Sequence, residues 1–185
     1  APGVVTSPGR TAAGGVPGAG TGDPTSAGTF AAALAAQVRD GAALPEVRGF
    51  STEQVGNAAA VVAAGRSMGL SLRDQAIGVM TAIGESSLRV LDHGDTAGPD
   101  SRGLFQQRDN GAWGALAQRM DPTESARSFF RALQRVDGRD AMTPTQVAHA
   151  VQRNADPDHY TRSWEAAVTL VSRLTGVPTA AVTGG

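Results

Sequence analysis

The feature that most constrains this chain is a helix-start signal that recurs four times, each ahead of apolar residues at helical spacing. Ser51-Thr-Glu-Gln54 puts a hydroxyl where a helix cap needs one and an amide three residues later, the spacing of a capping box. Val55, Ala58, Val62 and Gly65 follow as one stripe, and Gly69 is a natural stop. Ser71 restarts a helix with Asp74 in its first turn, and Ile77, Met80 and Ile83 then face inward as far as Glu85. Asp121-Pro122-Thr-Glu124 combines a cap, a proline in the first helical position and a glutamate two further on, ahead of Ala126, Phe129, Phe130, Leu133 and Val136. Thr143-Pro144-Thr-Gln146 repeats the device before Val147 and Val151, and Tyr160, Trp164, Val168, Val171 and Leu174 form a last stripe closed by Gly176. No stretch alternates apolar and polar residues over five or more positions, so the sequence predicts a mainly α fold.

Two ends fall outside this pattern. Residues 1–28 hold eight Gly and four Pro and no aromatic residue, about 43% Gly plus Pro, above the roughly 25–30% typical of low-complexity chain. They read as a flexible linker or tail. Residues 29–50 read as a short helical lead-in, Ala-rich from Thr29 to Asp40 and ending at Gly41; 51–175 is the folded domain, and 176–185, of small residues ending in Gly-Gly, is a second tail. The chain has neither an initiator Met nor a charged segment followed by an apolar one, and so reads as a processed or excised piece of something larger.

Within the domain, 88–112 is different. Gly94, Gly98, Gly103, Gly111 and several Asp make it a long irregular insert between helices. Loops longer than about 12–15 residues in a compact domain are usually functional or disordered. Leu91, Leu104, Phe105 and Trp113 give this one apolar anchors, which favours function, and it is expected to form one wall of a cleft.

Several chemistries are excluded. A net charge of -1 and a pI near 6.3 supply no drive toward nucleic acid. A mean hydropathy of -0.16, with no run of about 18 apolar residues, leaves no segment for membrane insertion. Cysteine is absent and all 16 basic residues are Arg, which removes thiolate and Schiff-base catalysis and the P-loop lysine. His93, His149 and His159 form no zinc motif, and Asp156-Pro-Asp158 lacks the Gly and Glu of a calcium loop, so neither metal nor cofactor is expected. There is no Gly-x-Ser-x-Gly elbow.

That leaves Thr81-Ala-Ile-Gly-Glu85-Ser86-Ser-Leu88. Glu85 closes an apolar helix just before the insert. A carboxyl group set against Ile83, Leu88 and Leu104 would be desolvated, which raises its pKa toward that of a general acid at neutral pH. By itself a Glu near a helix end is usually a surface group. Eighteen residues on comes Gly103-Leu104-Phe105-Gln106-Gln107-Arg108, whose adjacent amides suit sugar hydroxyl and acetamido groups or, alternatively, a helix start in solvent.

Glu85-Ser86, Gly103-Leu-Phe-Gln106 and Arg153-Asn154-Ala155 together resemble the three signatures of soluble lytic transglycosylases and goose-type lysozymes: a catalytic Glu followed by Ser, a Gly-Leu-Met-Gln segment lining the cleft, and Tyr-Asn-Ala-Gly on a later helix. Over roughly 52–165 the chain is more closely similar to transglycosylase-like modules of secreted wall enzymes in high-GC Gram-positive bacteria, where the phrases at 103–108 and 150–153 recur. Phe105 stands in place of Met, Arg153 in place of Tyr and Asp156 in place of Gly, and Arg108-Asp109 replaces the usual ending; Tyr160, further along, offers a substitute hydroxyl.

The resemblance implies a lysozyme-like helical domain, peptidoglycan glycan strands as partner and cleavage of the β-1,4 bond between N-acetylmuramic acid and N-acetylglucosamine. Glu85 would be the general acid and base, and Ser86, Phe105, Gln106, Gln107, Asn154 and Tyr160 would bind substrate. Asp92, Asp95 and Asp100 would either cap loop turns or position a water for hydrolysis. A non-catalytic wall-binding module is the third possibility. The implied setting is extracellular or in the cell wall, with further modules of a larger protein or assembly as neighbours.

Overall fold

The computed structural model describes residues 44–184. The expected tail at 1–28 and the helix at Thr29–Asp40 lie outside the described residues. The chain is mainly helical: α1 Thr52–Ser67, α2 Leu72–Ser86, α3 Leu116–Met120, α4 Pro122–Leu133, α5 Pro144–Gln152, α6 Trp164–Thr175 and α7 Thr179–Thr183, with 3-10 turns at Arg139–Ala141 and Thr161–Ser163. Extended pairing among the described residues is confined to two isolated bridges in the insert, Leu91 with Gly103 and Arg102 with Gln107. No helix among them is long and apolar enough to cross a membrane.

The helix starts follow the sequence signals. Ser51 and Gln54 form a reciprocal capping box, as do Thr143 and Gln146, and Asp121 accepts hydrogen bonds from the Thr123 and Glu124 amides. Ser71 caps α2 through the Asp74 amide. Each cap satisfies amide donors that a helix start leaves without intrahelical partners.

Helix α1 departs from its expected single stripe. Every residue from Val55 to Gly65 is buried. A helix buried on all faces is a central one, and α1 packs against α2, α4 and α6. Its alanines and glycines let neighbours approach closely. The Phe130 ring of α4 lies in the notch this creates: a Cβ on Gly78 would stand 2.6 Å from Phe130 Cζ, and one on Gly65 would stand 3.1 Å from it. Phe129 stacks on Phe105 of the insert, with centroids 4.9 Å apart. Phe105, Phe129, Phe130, Ile77, Met80, Leu88, Leu104, Leu133 and Tyr160 are fully buried, and the insert thus contributes three of the largest core side chains.

Two boundaries differ from the sequence reading. Residues 44–50 are not helical; the chain turns at Arg48-Gly49, the Phe50 amide donating to the Val47 carbonyl at 3.1 Å, with Val47 buried. Residues 176–184 do not form a loose tail. Gly176 caps α6 in the left-handed conformation, and α7 folds back onto α2 and α6 with Val182 fully buried. The small-residue composition hid a single apolar anchor, enough to dock one turn of helix.

Candidate functional site

Helix α2 ends in a sharp reversal directly after Glu85. Ser87 and Leu88 both hold positive φ, 52° and 59°, a left-handed conformation that costs a non-glycine residue about 1–2 kcal/mol. Long-range bonds hold it. Gln54 Nε2 of α1 donates to the Ser87 carbonyl at 2.8 Å, and buried Asn57 Nδ2 donates to the Leu88 carbonyl at 2.8 Å. Leu88 also drops into the core. Glu85 is therefore presented from a helix end whose direction is fixed by a neighbouring helix.

The carboxyl group is held from the other side by Tyr160, whose hydroxyl donates a hydrogen bond to Glu85 Oε1. The ring reaches it because residue 84 is glycine: a Cβ there would stand 2.6 Å from Tyr160 Cδ1. Burial raises the Glu85 pKa above that of an exposed glutamate. The Tyr160 hydrogen bond, the electrostatic influence of the nearby His159 ring and the Gln152 amide pull it back down, and the Asp95 charge adds a small push upward. The same burial, with the Glu85 charge beside it, raises the Tyr160 pKa, so its hydroxyl stays a donor. His159 Nε2 lies 3.3 Å from the Gly84 carbonyl.

The insert meets this centre through a tight turn, Arg102–Gln107. Arg102 and Gln107 exchange backbone hydrogen bonds, and Gly103 is bonded through its amide to the Leu91 carbonyl at 2.7 Å. Gly103 has φ of 78°, and a Cβ on it would overlap the Arg119 carbonyl, so both space and conformation require glycine there. The tip of the turn points inward. Ser86 Oγ donates to the Leu104 carbonyl at 2.7 Å, and Gln152 Nε2 donates to the Phe105 carbonyl at 2.9 Å. Gln107 Nε2 donates to the Ser125 carbonyl at 3.0 Å.

This geometry corrects four expected substrate contacts. Ser86 is 6% exposed and spends its hydroxyl on fastening the turn. Phe105 is a core side chain stacked on Phe129, so only its backbone is near the site. Gln107 is 2% exposed, with its amide turned to α4. Tyr160 is likewise fully buried and acts on Glu85. Gln106 remains at the surface of the site, with φ of 47° and its amide donating to the His93 and Gly103 carbonyls. Asn154 Oδ1 lies 2.8 Å from His149 Nδ1 and lines the same cavity as Glu85.

Two cavities meet at Glu85. The larger, about 850 Å³, is lined by residues including Gln107, Arg108, Trp113, Arg135, Arg153 and Asn154. The smaller, about 350 Å³, is lined by Gly84, Leu91, His93, Gly94 and His159. Glu85, Asp95, Ser101 and Gln106 line both. The three acidic candidates of the insert separate here. Asp95 is at this neck, its Oδ1 accepting from the Gly98 amide at 2.7 Å. Asp92 is paired with His93 in solvent, which lowers its pKa. Asp100 binds the Asp109 amide and Arg108, and that amide bond, with a smaller share from Arg108, lowers its pKa as well. Asp92 and Asp100 line neither cavity.

Four working residues were not assigned from sequence. Gln152 lies inside the quoted 150–153 phrase, yet it was its neighbours that drew attention. Gln54 was seen only as a cap, and Asn57 not at all. Arg119, 3% exposed, donates to the Asp100 and Gln107 carbonyls and pairs with Asp109 at 3.1 Å, pinning the outer insert to α3. A polar residue inside an apolar helical stripe is the signal that could have found Asn57; Arg119 has none.

No protein-family model matches the chain, and no curated protein matches it either. What the arrangement can do chemically therefore rests on its geometry. A carboxyl group with a raised pKa, fixed in direction and lining both cavities, can donate a proton when protonated to an oxygen held at the neck and take one back.

Proposed function

We propose that the chain cleaves peptidoglycan as a lytic transglycosylase, acting on the β-1,4 bond between N-acetylmuramic acid and N-acetylglucosamine. The observation that carries this reading is Glu85, desolvated to a raised pKa at the neck common to two cavities. A glycan strand occupying both cavities would set its scissile oxygen at that neck. Glu85 would protonate the glycosidic oxygen as the C1–O bond breaks, and the leaving sugar would carry that proton away. The substrate's acetamido oxygen would stabilise C1, so no second carboxylate is needed, an exception to the usual pair. The Glu85 carboxylate would then take the proton of the C6 hydroxyl as O6 bonds to C1, closing a 1,6-anhydro ring. Tyr160 supports both halves by donating to whichever carboxyl oxygen is not exchanging the proton. The protein would work outside the cell or in the wall, on glycan strands, alongside further modules of a larger protein or assembly.

Asp95 favours a second reading, a hydrolytic muramidase, because it shares the neck with Glu85. A water held by Asp95 would take the place of O6. Mass spectrometry of a glycan digest separates the readings. The expected product is the anhydro sugar. Products heavier by one water, lost in Asp95→Asn, would establish the muramidase, and binding without any product would leave a wall-binding module. Activity should fall as the pH rises through the raised pKa of Glu85, since the acid form is the one that starts the reaction.

A further inference from the structure

The two cavities that meet at Glu85 differ in charge. Among their lining residues, the smaller has no arginine, whereas the larger has Arg108, Arg135 and Arg153. Arg108 is committed to Asp100, with Nε and Oδ1 2.6 Å apart. Arg135 and Arg153 are exposed, and neither guanidinium has an ion pair or hydrogen bond among the described residues. The acids lining the larger cavity, Glu85 and Asp95, are both at the neck. The two arginines come from different elements, Arg135 just beyond the end of α4 and Arg153 from the C-cap of α5. Helix C-termini favour cations, which makes these stable places to hold a guanidinium. Arg153 also holds φ of 55°, where a helix end ordinarily carries Gly or Asn.

An N-acetylglucosamine ring is neutral, and the lactyl carboxyl of N-acetylmuramic acid is an uncharged amide once a peptide is attached, so the rings of a branched strand give two such cations nothing to pair with. Guanidinium is the group suited to planar, bidentate recognition of carboxylates. On the proposed glycan-cleaving reading, on which this inference rests, the substrate carries carboxylates on its peptide branches. We infer that Arg135 and Arg153 form a carboxylate-reading subsite in the larger cavity, which engages the acidic peptide branch on one side of the scissile bond and selects branched over naked glycan. The larger volume of that cavity suits a branch in addition to the strand.

The test separates binding from turnover. Affinities are measured in a Glu85→Gln background for three soluble glycan fragments: one with its peptide branches, one stripped of them with each lactyl carboxyl capped as its amide, and one stripped and capped in the same way but bearing a phosphodiester polymer. Adding R135Q and R153N should weaken binding of the branched fragment by roughly 10-fold at low salt and leave the stripped fragment unchanged. Asn at 153 tolerates the left-handed conformation, and R135Q alone, which leaves that backbone untouched, should show roughly a 3-fold loss. The charge-retaining pair R135K and R153K should lose less. No loss on the branched fragment, an equal loss on the stripped one, or a loss confined to the phosphodiester-bearing one would overturn the inference. Cleavage of the stripped fragment by the unmodified protein reports on the glycan-cleaving reading separately: if it fails while the branched-fragment preference stands, the subsite survives without the activity.

Discussion

The two sides of the candidate site are built by opposite rules. On the inner side, Glu85, Ser86, Phe105, Gln107, Gln152 and Tyr160 bond across long sequence distances, between a helix and either the insert turn or the turn that carries Tyr160. On the outer side, the rim from Asp92 to Asp100, polar groups bond to near neighbours: Asp92 to His93, Asp95 to the Gly98 amide, Arg102 to the Pro99 carbonyl. Both sides draw on the same Gly- and Asp-rich insert, so composition does not set them apart. The difference teaches where chemistry can be tuned. Desolvation raises a carboxyl pKa, as at Glu85 on the inner side, whereas hydrogen bonds at the exposed rim lower those of Asp92 and Asp100.

The sharpest way to test that contrast is Glu85→Gln. It retains an acceptor for the Tyr160 hydroxyl and removes the proton, so glycan cleavage should fall by about 10²–10⁴ in rate. The same substitution should raise stability at neutral pH. The folded state holds the Glu85 pKa above its unfolded value, so at low pH both states are protonated and nothing is lost, whereas ionisation becomes a cost of folding as the pH rises through the shifted value. Melting curves of the two proteins should converge below the ordinary carboxyl range and separate above it. Wild-type turnover, or a melting difference that grows toward acid pH, would contradict the burial argument.

Next in size is Phe105→Ala. If the turn is a core element, its loss should cost about 3–5 kcal/mol in denaturant unfolding; a cost below about 1 kcal/mol would return Phe105 to the cleft surface. Gly84→Ala should follow. Its methyl group would push the Tyr160 ring away from Glu85, and a misplacement of about 1 Å near the reacting group costs about 10²-fold in rate. Reading kcat together with helicity checks that the fold survives. Smallest is Asp92→Asn on the rim, expected within about 0.5 kcal/mol in stability and without effect on turnover. An Asp92 variant as damaged as the inner ones would erase the distinction between the two sides.

The helices were legible because their signals are local. A cap at Ser51 or Thr143 needs only the residue three positions on, and the Asp121-Pro122 pair reads the same in any context. Glu85 was legible for the same reason, as the polar end of an apolar helix beside a long insert. Side-chain direction in the insert was not. Gln106 and Gln107 are adjacent and chemically identical, yet the amide of one bonds within the insert, to the His93 and Gly103 carbonyls, and that of the other bonds to α4, a choice made by the backbone bonds of the 102–107 turn. Ser86 and Phe105 were misassigned for that reason, since nothing near them in sequence says that the turn tip points inward. The hydroxyl at Glu85 was the exception. Tyr160, the hydroxyl that the sequence offers in place of a tyrosine at 153, does reach Glu85, although from within the core and not as a substrate contact.

The left-handed pair Ser87-Leu88 also bears on the order in which this protein assembles. In isolation α2 has every local reason to form, but its terminal reversal does not, because two non-glycine residues must hold an unfavourable conformation there. The bonds that compensate come from Gln54 and Asn57, 33 and 31 residues away in sequence, and the Tyr160 bond to Glu85 spans 75. Contacts of that span form only after the loop entropy of closing them has been met. The helices can therefore be present while Glu85 still points in no particular direction. A collapsed, helical but incompletely docked chain would carry an ordinary surface carboxylate in its place. Circular dichroism would count that chain as nearly native, and the protonation state of Glu85 would not, which makes the titration of one side chain a stricter clock for the end of folding than the appearance of helix.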